Sequence, residues 1–330
     1  MSACQVDSGK WVKSEIHSPV IFLQQISLLA DMGAMTLPRQ FLPNSTYFIT
    51  RRATQREFWL KPTRQTTQIF LYCIAVAAQK TGIRVHAACV MSNHWHAIVS
   101  DSSTNVAQFY TWVHKYVAKA VNCAMGRGEN LWAAGKVNVI ALESSEDVLD
   151  KIVYTLCNPV STHLIAKAEK WPGVWLYRRS HSCIVKRPDV YFQKDGTMPE
   201  TAELIIHQAP GHENLPIHTY EKLIADEISK EEHNIANDMS TAKKTFMGMD
   251  AVLRQSHREK PQTIEPRRGM NPRFAARNKE LRISAVERYK QFVANYWDAL
   301  KEWKRGNREV VFPAGTYAMR LHARVNVASG

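Results

Sequence analysis

The chain predicts an α+β protein: a single antiparallel sheet carrying helices over its first half, and a mostly helical region over its second. Three observations lead there. From Ser45 to Cys157 the hydrophobic spacing alternates between a period of two and a period of 3.6 residues. Beyond Tyr177 that rhythm stops, Pro188 and Pro199 intervene, and long helical patterns follow a Pro/Gly-rich break from Ala209 to Pro216. The charge is also blocked, with +9 over residues 35–182, −6 over 183–240 and +11 over 241–330, as expected of distinct surfaces or domains.

Taken in order, Ser45 to Arg51 is a β-rich run, and Thr63 to Thr81 is an amphipathic helix just after Pro62. Ile83 to Met91 and Trp95 to Ser100 form two strands with a short turn between them. Thr104 to Met125 is a second helix, which the polar cluster Asp101-Ser102-Ser103 can cap. Lys136 to Leu142 is a fourth strand. Glu146 to Cys157 is a third helix, introduced by Ser144 or Ser145 and closed near Asn158-Pro159. The order βαββαβα is the split βαβ arrangement of ferredoxin-like domains, and about 150 residues with the helices on one face make a complete domain. The expected division is a leader over 1–34, a first domain over 35–182 and a mostly helical extension over 183–330. In the extension, Ala202 to His207 is a short apolar run, and helices are expected over Tyr220 to Asn237, Thr241 to Gln255 and Pro272 to Lys304. Residues 1–34 are expected either to be a disordered leader or to precede a start at Met35.

With 330 residues, 45% hydrophobic and 9% aromatic, the chain can fill real cores. A net charge of +13 suits an anionic polymer or membrane surface better than a small neutral substrate. No run approaches the roughly 20 apolar residues of a membrane span. Val20 to Ala30 is interrupted by Gln24, Gln25 and Ser27 and lacks a basic flank and a cleavage site, so no signal peptide is expected. Six cysteines without a Cys-x-x-Cys pair argue against a zinc module or a disulfide framework and suit a reducing cytoplasm.

The chemistry is concentrated in two short stretches. In Asn93-His94-Trp95-His96, two histidines sit at i and i+2 of a strand, so their imidazoles share one face while Trp95 takes the other. Such a pair can hold a divalent metal and leave positions open for a phosphate. Some sixty residues on, Tyr154 and Asn158 are four apart on a helix and share its face. A phenol can attack phosphorus, and an amide oxygen can be a third metal ligand. Each pattern also has an ordinary reading: structural histidines, a half-buried tyrosine, and an asparagine closing a helix before Pro159. Asp150 and Lys151 lie near the Tyr154 face without an assigned role.

Basic clusters mark candidate DNA contacts. Arg51, Arg52 and Arg56 follow the first strand beside Phe58 and Trp59, a mixture suited to phosphate contact and base stacking, or to an ordinary solvated edge. Lys115 and Lys119 lie on the second helix. Arg267, Arg268, Arg273 and Arg277 form a compact group near the helix bearing Trp297 and Trp303.

The Asn-His-Trp-His core at 93–96, Tyr-x-x-x-Asn-Pro at 154–159, Pro38-Arg39-Gln40-Phe41 and Tyr47-Phe48-Ile49-Thr50-Arg51-Arg52 resemble the REP-associated tyrosine transposases, relatives of the single-tyrosine HUH transposases of small insertion sequences. The resemblance runs from Met35 to about Ser180. The segments 269–277 and 311–317 resemble the C-terminally extended members. The resemblance implies a ferredoxin-like HUH nuclease core in which His94 and His96 bind Mg²⁺ or Mn²⁺, Asn158 adds a ligand and Tyr154 is the nucleophile. It implies single-stranded or hairpin DNA, of palindromic shape, as partner. It leaves monomer and homodimer open, with a cytoplasmic, nucleoid-associated setting. Two rivals stand beside it. One is a non-catalytic nucleic-acid-binding module of the RNA-recognition type, whose RNP aromatic signature is missing. The other is a histidine phosphoesterase needing His-x-His-x-His, where position 98 is Ile.

Overall fold

A computed structural model describes residues 37–135, 137–177, 182–192, 196–263 and 272–329. The leader and Met35 lie outside the described residues. Residues 39–330 cluster as one unit.

The first half follows the expected order. Strand β1 is Ser45–Arg52, helix α1 Arg64–Thr81, strands β2 and β3 Arg84–Val90 and His94–Asp101, helix α2 Val106–Ala124, strand β4 Asn138–Leu142 and helix α3 Ser145–Ser161. Local chemistry sets the ends. Thr63 accepts from Thr66 N at the start of α1, and Gly82 closes it in the left-handed region at φ 69°, which costs glycine little. The Asp101 carboxylate accepts from Ser103 N and Val106 N and so caps the start of α2, while Ser144 accepts from Asp147 N at the start of α3.

β2, β3, β1 and β4 lie side by side and antiparallel. This is the strand order of the split βαβ arrangement, so the core loosely resembles a ferredoxin-like fold. Two short strands extend the sheet: β5 (Trp175–Leu176) pairs with β2, and β8 (Phe274–Ala275) runs parallel to β4.

The expectation that helices occupy one face is corrected. Helices α1 and α2 pack Phe70, Ile74, Phe109, Val113 and Val117 onto Tyr47, Ile49, Trp95, Ala97 and Val99. On the opposite face, Val148, Ile152, Leu156 and Val160 of α3 meet Phe48, Ala87, Ile98, Ile140 and Leu142. The physical reason lies in connectivity. The two crossovers α1 and α2 fill one face, so the next helix can bury its apolar stripe only against the other. Helix α3 also continues through Pro159 to Ser161 rather than closing before it.

The second half is less helical than expected. Strands β6 (Ser182–Lys186) and β7 (Thr201–Ile205) form an antiparallel hairpin whose Val185 and Leu204 join the core on the α1 side. Helix α4 (Ile217–Thr241) covers α3 through Tyr220, Ile224 and Ile228. The helix expected over 241–255 is confined to α5, Met249–Arg254, because Lys243 takes a left-handed conformation after α4. The next begins at Lys279 rather than Pro272: α6 spans Lys279–Lys304, capped by Asn278. The preceding residues are drawn into β8 by hydrogen bonds from Ala141 N to Arg273 O and from Glu143 N to Ala275 O. Strands β9 (Val311–Phe312) and β10 (Asn326–Val327) pair in parallel around α7 (Ala318–Ala323).

Candidate active site

Register decides which residues meet. His94 pairs with Arg52 and His96 with Thr50 across β1, which puts both imidazoles on the α3 face while Trp95 points at α1 and α2. The two rings are 4.7 Å apart between centroids. Phe48, two residues along β1 from Thr50, stacks on His96 at 5.2 Å. Above this face, α3 presents Tyr154, whose ring lies 5.7 Å from His96 and 5.9 Å from Phe48. One turn on, Asn158 brings its amide nitrogen to 3.3 Å from His96 Nε2. The four residues expected to act together therefore converge.

Each is held differently. His94 Nδ1 lies 2.6 Å from Asn93 Oδ1, an acceptor only, so Nδ1 carries the proton and Nε2 keeps its lone pair. Asn93 is itself fixed by donating through Nδ2 to Arg56 O at 3.1 Å. His96 is buried. Desolvation holds its pKa well below the ordinary value, and the nearby His94 and Lys151 push in the same direction. Tyr154 keeps 37% of its surface exposed, so a polymer can reach it.

Among the described residues no group of three or more His, Cys, Asp or Glu side chains could hold a metal ion. The donor set here is two imidazoles and an amide. His96 Nδ1 and Asn158 Oδ1 are buried and lack a hydrogen-bond partner among the described residues. A buried acceptor left unmade costs about 1–3 kcal/mol, so an orphaned amide oxygen close to two imidazoles fits a divalent cation. A half turn of the Asn158 amide presents Oδ1 where Nδ2 now faces His96. Neutral imidazole is the form that binds metal.

Three further residues lie here: Lys151, Phe48 and Asn93. Lys151 Nζ lies 5.0 Å from the centroid of the Tyr154 ring and 5.7 Å from that of Phe48. Burial lowers its pKa, and Asp150 and Asp147 act against that. Phe48 and Asn93 stand inside the motifs that carry the resemblance, but their spacing alone assigned neither of them a place at the site.

Among the described residues, the basic side chains do not gather on one surface. Arg52 stands on the histidine face, opposite His94, and is exposed. Arg51 takes the other face, half-buried with its guanidinium 5.5 Å from the Trp132 ring and its pKa lowered by burial. Arg56 donates to Thr263. Phe58 and Trp59 are buried, Trp59 with the Arg127 guanidinium 3.6 Å from its ring centroid, so neither is a free stacking platform. Lys115 and Lys119 are exposed on α2, beyond the sheet from the histidines. Arg273 packs half-buried at 4.8 Å from the Tyr289 ring. Arg277 ion-pairs with Asp150, and its backbone N–H donates to Asp147 at 2.7 Å. Arg267 and Arg268 lie outside the described residues. Among those described, no helix is long and apolar enough to cross a membrane.

No protein-family model matches the chain, and no curated protein does. Among solved structures, a REP-associated tyrosine transposase bound to a REP hairpin is 19% identical, with a TM-score of 0.36 over 42% of this chain and 81% of that one. A candidate transposase from Deinococcus radiodurans R1 is 17% identical, with a TM-score of 0.26 over 32% of this chain and 85% of that one. The chain thus has a distant, partial similarity to transposases, at scores too low to bear on what it does.

Proposed function

We propose that the chain is a metal-dependent endonuclease and strand transferase of single-stranded or hairpin DNA, acting through a 5′-phosphotyrosine at Tyr154. The observation that carries this reading is the convergence on one sheet face of a solvent-reachable phenol, two imidazoles and an orphaned amide oxygen. His94, His96 and Asn158 are the residues that would hold Mg²⁺ or Mn²⁺. When bound, such an ion draws negative charge from the scissile phosphate.

The chain's own residues do the rest. The Tyr154 oxygen attacks phosphorus in line, the O–P bond forms as the phenol loses its proton, and the bond to the 3′ oxygen breaks, that oxygen taking up a proton. One phosphodiester replaces another of similar energy, so a free 3′-OH can reverse the step and join strands. Asn93 keeps His94 in the tautomer whose Nε2 can coordinate. Arg52, beside His94, is the basic residue best placed to take a flanking phosphate. The net charge of +13 supports DNA as the partner, and Lys115 and Lys119 add an exposed basic pair for a more distant stretch of strand. The RNA-recognition reading needs an open sheet face for stacking, and α3 lies across the one that α1 and α2 leave free.

The test is a labelled hairpin with single-stranded flanks, incubated with protein and Mg²⁺ or Mn²⁺ and resolved under denaturing conditions. The wild type is expected to form a covalent adduct, and Tyr154→Phe none. An adduct with Tyr154→Phe, or none with the wild type across a library of hairpins, sinks the proposal. Replacing His94 and His96 by Ala is expected to abolish metal-dependent cleavage and spare DNA binding.

A further inference from the structure

We propose that Lys151 supplies the positive charge that holds the scissile phosphate against Tyr154, so that nucleophile and phosphate clamp come from one turn of α3. The inference deepens the reading above and rests on it. Lys151 precedes Tyr154 by three residues, which puts both on one helix face. Its ammonium lies 5.0 Å from the Tyr154 ring centroid and 5.7 Å from that of Phe48, within the range of a cation held over an aromatic face. The same two rings frame His96, at 5.7 and 5.2 Å. The ammonium therefore belongs to the same aromatic enclosure as the nucleophile and the imidazoles.

Its neighbours separate it from Asp150, the other unassigned residue before Tyr154. Asp150 is turned to Arg277 in an ion pair. Asp147, the second carboxylate acting on Lys151, is also engaged: Oδ1 accepts from Arg277 N, and Oδ2 is 2.8 Å from Ser144 Oγ. Asp150 and Asp147 thus also contact Arg277 and Ser144, away from the Tyr154 ring. In-line attack brings phosphorus to about 3–3.5 Å from the phenol oxygen. That places the non-bridging oxygens, where negative charge develops, within reach of a flexible ammonium above the same ring. A partly desolvated charge acts there more strongly than one in open water. Arg51 points to the opposite face of the sheet, and Arg52 sits at the His94 rim, so neither duplicates the position.

The test compares wild type, Lys151→Met, Lys151→Gln and Lys151→Arg in single-turnover adduct formation at saturating DNA. Two hairpins are used, one with an ordinary scissile phosphodiester and one with a methylphosphonate lacking one charged oxygen. On the phosphodiester, Met and Gln are expected to slow adduct formation about 10²-fold, with DNA affinity little changed, and Arg to recover most of the loss. On the methylphosphonate, the gap between wild type and Met or Gln is expected to close. Two results overturn the proposal: Met and Gln variants as fast as wild type, or a deficit of the same size on both substrates, which marks a packing role. Wild type that forms no adduct at all removes the Tyr154 reading itself, a different outcome from wild type active and Lys151 indifferent.

Discussion

Trp95 and His96 are neighbours in β3 that point to opposite faces of the sheet, and each face buries a histidine in its own way. Toward α1 and α2, His114 accepts a hydrogen bond from Trp95 Nε1 at 3.0 Å, its backbone carbonyl accepts from Trp132 Nε1 at 2.8 Å, and apolar side chains close around it. Toward α3, His96 meets a second imidazole, an amide and a phenol that reaches solvent. Both histidines are depressed well below their ordinary pKa by burial, and both have an Nδ1 without a partner among the described residues. Burial and an orphaned nitrogen therefore do not distinguish a site from a core. The difference is convergence: a second imidazole, an amide and a solvent-reachable phenol gather around His96, whereas His114 is ringed by apolar side chains and two indoles.

The largest effect that bears on this contrast is expected on the closed face. Trp95→Ala removes a fully buried indole and leaves His114 without its donor, which costs on the order of 3–5 kcal/mol in denaturant unfolding. A loss below about 1 kcal/mol, the size of a surface change, breaks the picture of a sealed core.

Acid comes next. His86, buried and bonded to Ser100 Oγ at 2.7 Å, has its pKa lowered to about 4, mainly by desolvation. A histidine whose folded pKa lies below its unfolded value of about 6.5 gives stability that is whole above 6.5 and is lost as pH falls towards the folded value. For His86 the window is 6.5 to about 4, and the loss by pH 4.5 is roughly 2–3 kcal/mol, with His96 and His114 adding in the same direction. Unfolding free energies measured at pH 7.5 and 4.5 check this, and equal values contradict three buried neutral imidazoles.

The smallest effect sharpens the open face. Asn93→Ala removes the acceptor at His94 Nδ1 and is expected to weaken Mn²⁺ binding about 10- to 100-fold, read by the electron paramagnetic resonance of the free ion without any DNA present. Unchanged affinity means that the tautomer is set by something other than Asn93.

Much of this was legible in the chain. The two-residue spacing of His94 and His96 and the four-residue spacing of Tyr154 and Asn158 each assign a face once strand and helix are recognised, and the structure superposes those faces. The places of Phe48 and Lys151 were harder to read, because they depend on strand register and on which side of the sheet α3 takes, and a periodic pattern encodes neither. The surroundings of the basic C-terminal residues were hidden for a related reason. Arg277 appears in the sequence as unopposed charge, yet its partners Asp147 and Asp150 are far upstream on α3. Trp59 belongs to the same class: an aromatic beside arginines suggests stacking on bases, whereas the chain uses it as the floor for its own Arg127.

The two shortest additions to the sheet bear on how copies of this chain can meet. β5 beside β2 and β8 beside β4 place local partners on the outermost core strands. An unprotected strand edge invites a second molecule to continue the ladder, and these additions shorten the backbone available for that. Joining two such sheets edge to edge requires displacing β8 or β5, and with β8 go the contacts that seat α6. Self-association of this protein is therefore steered towards helix and loop surfaces, and away from the edges of the sheet that carries the histidine pair.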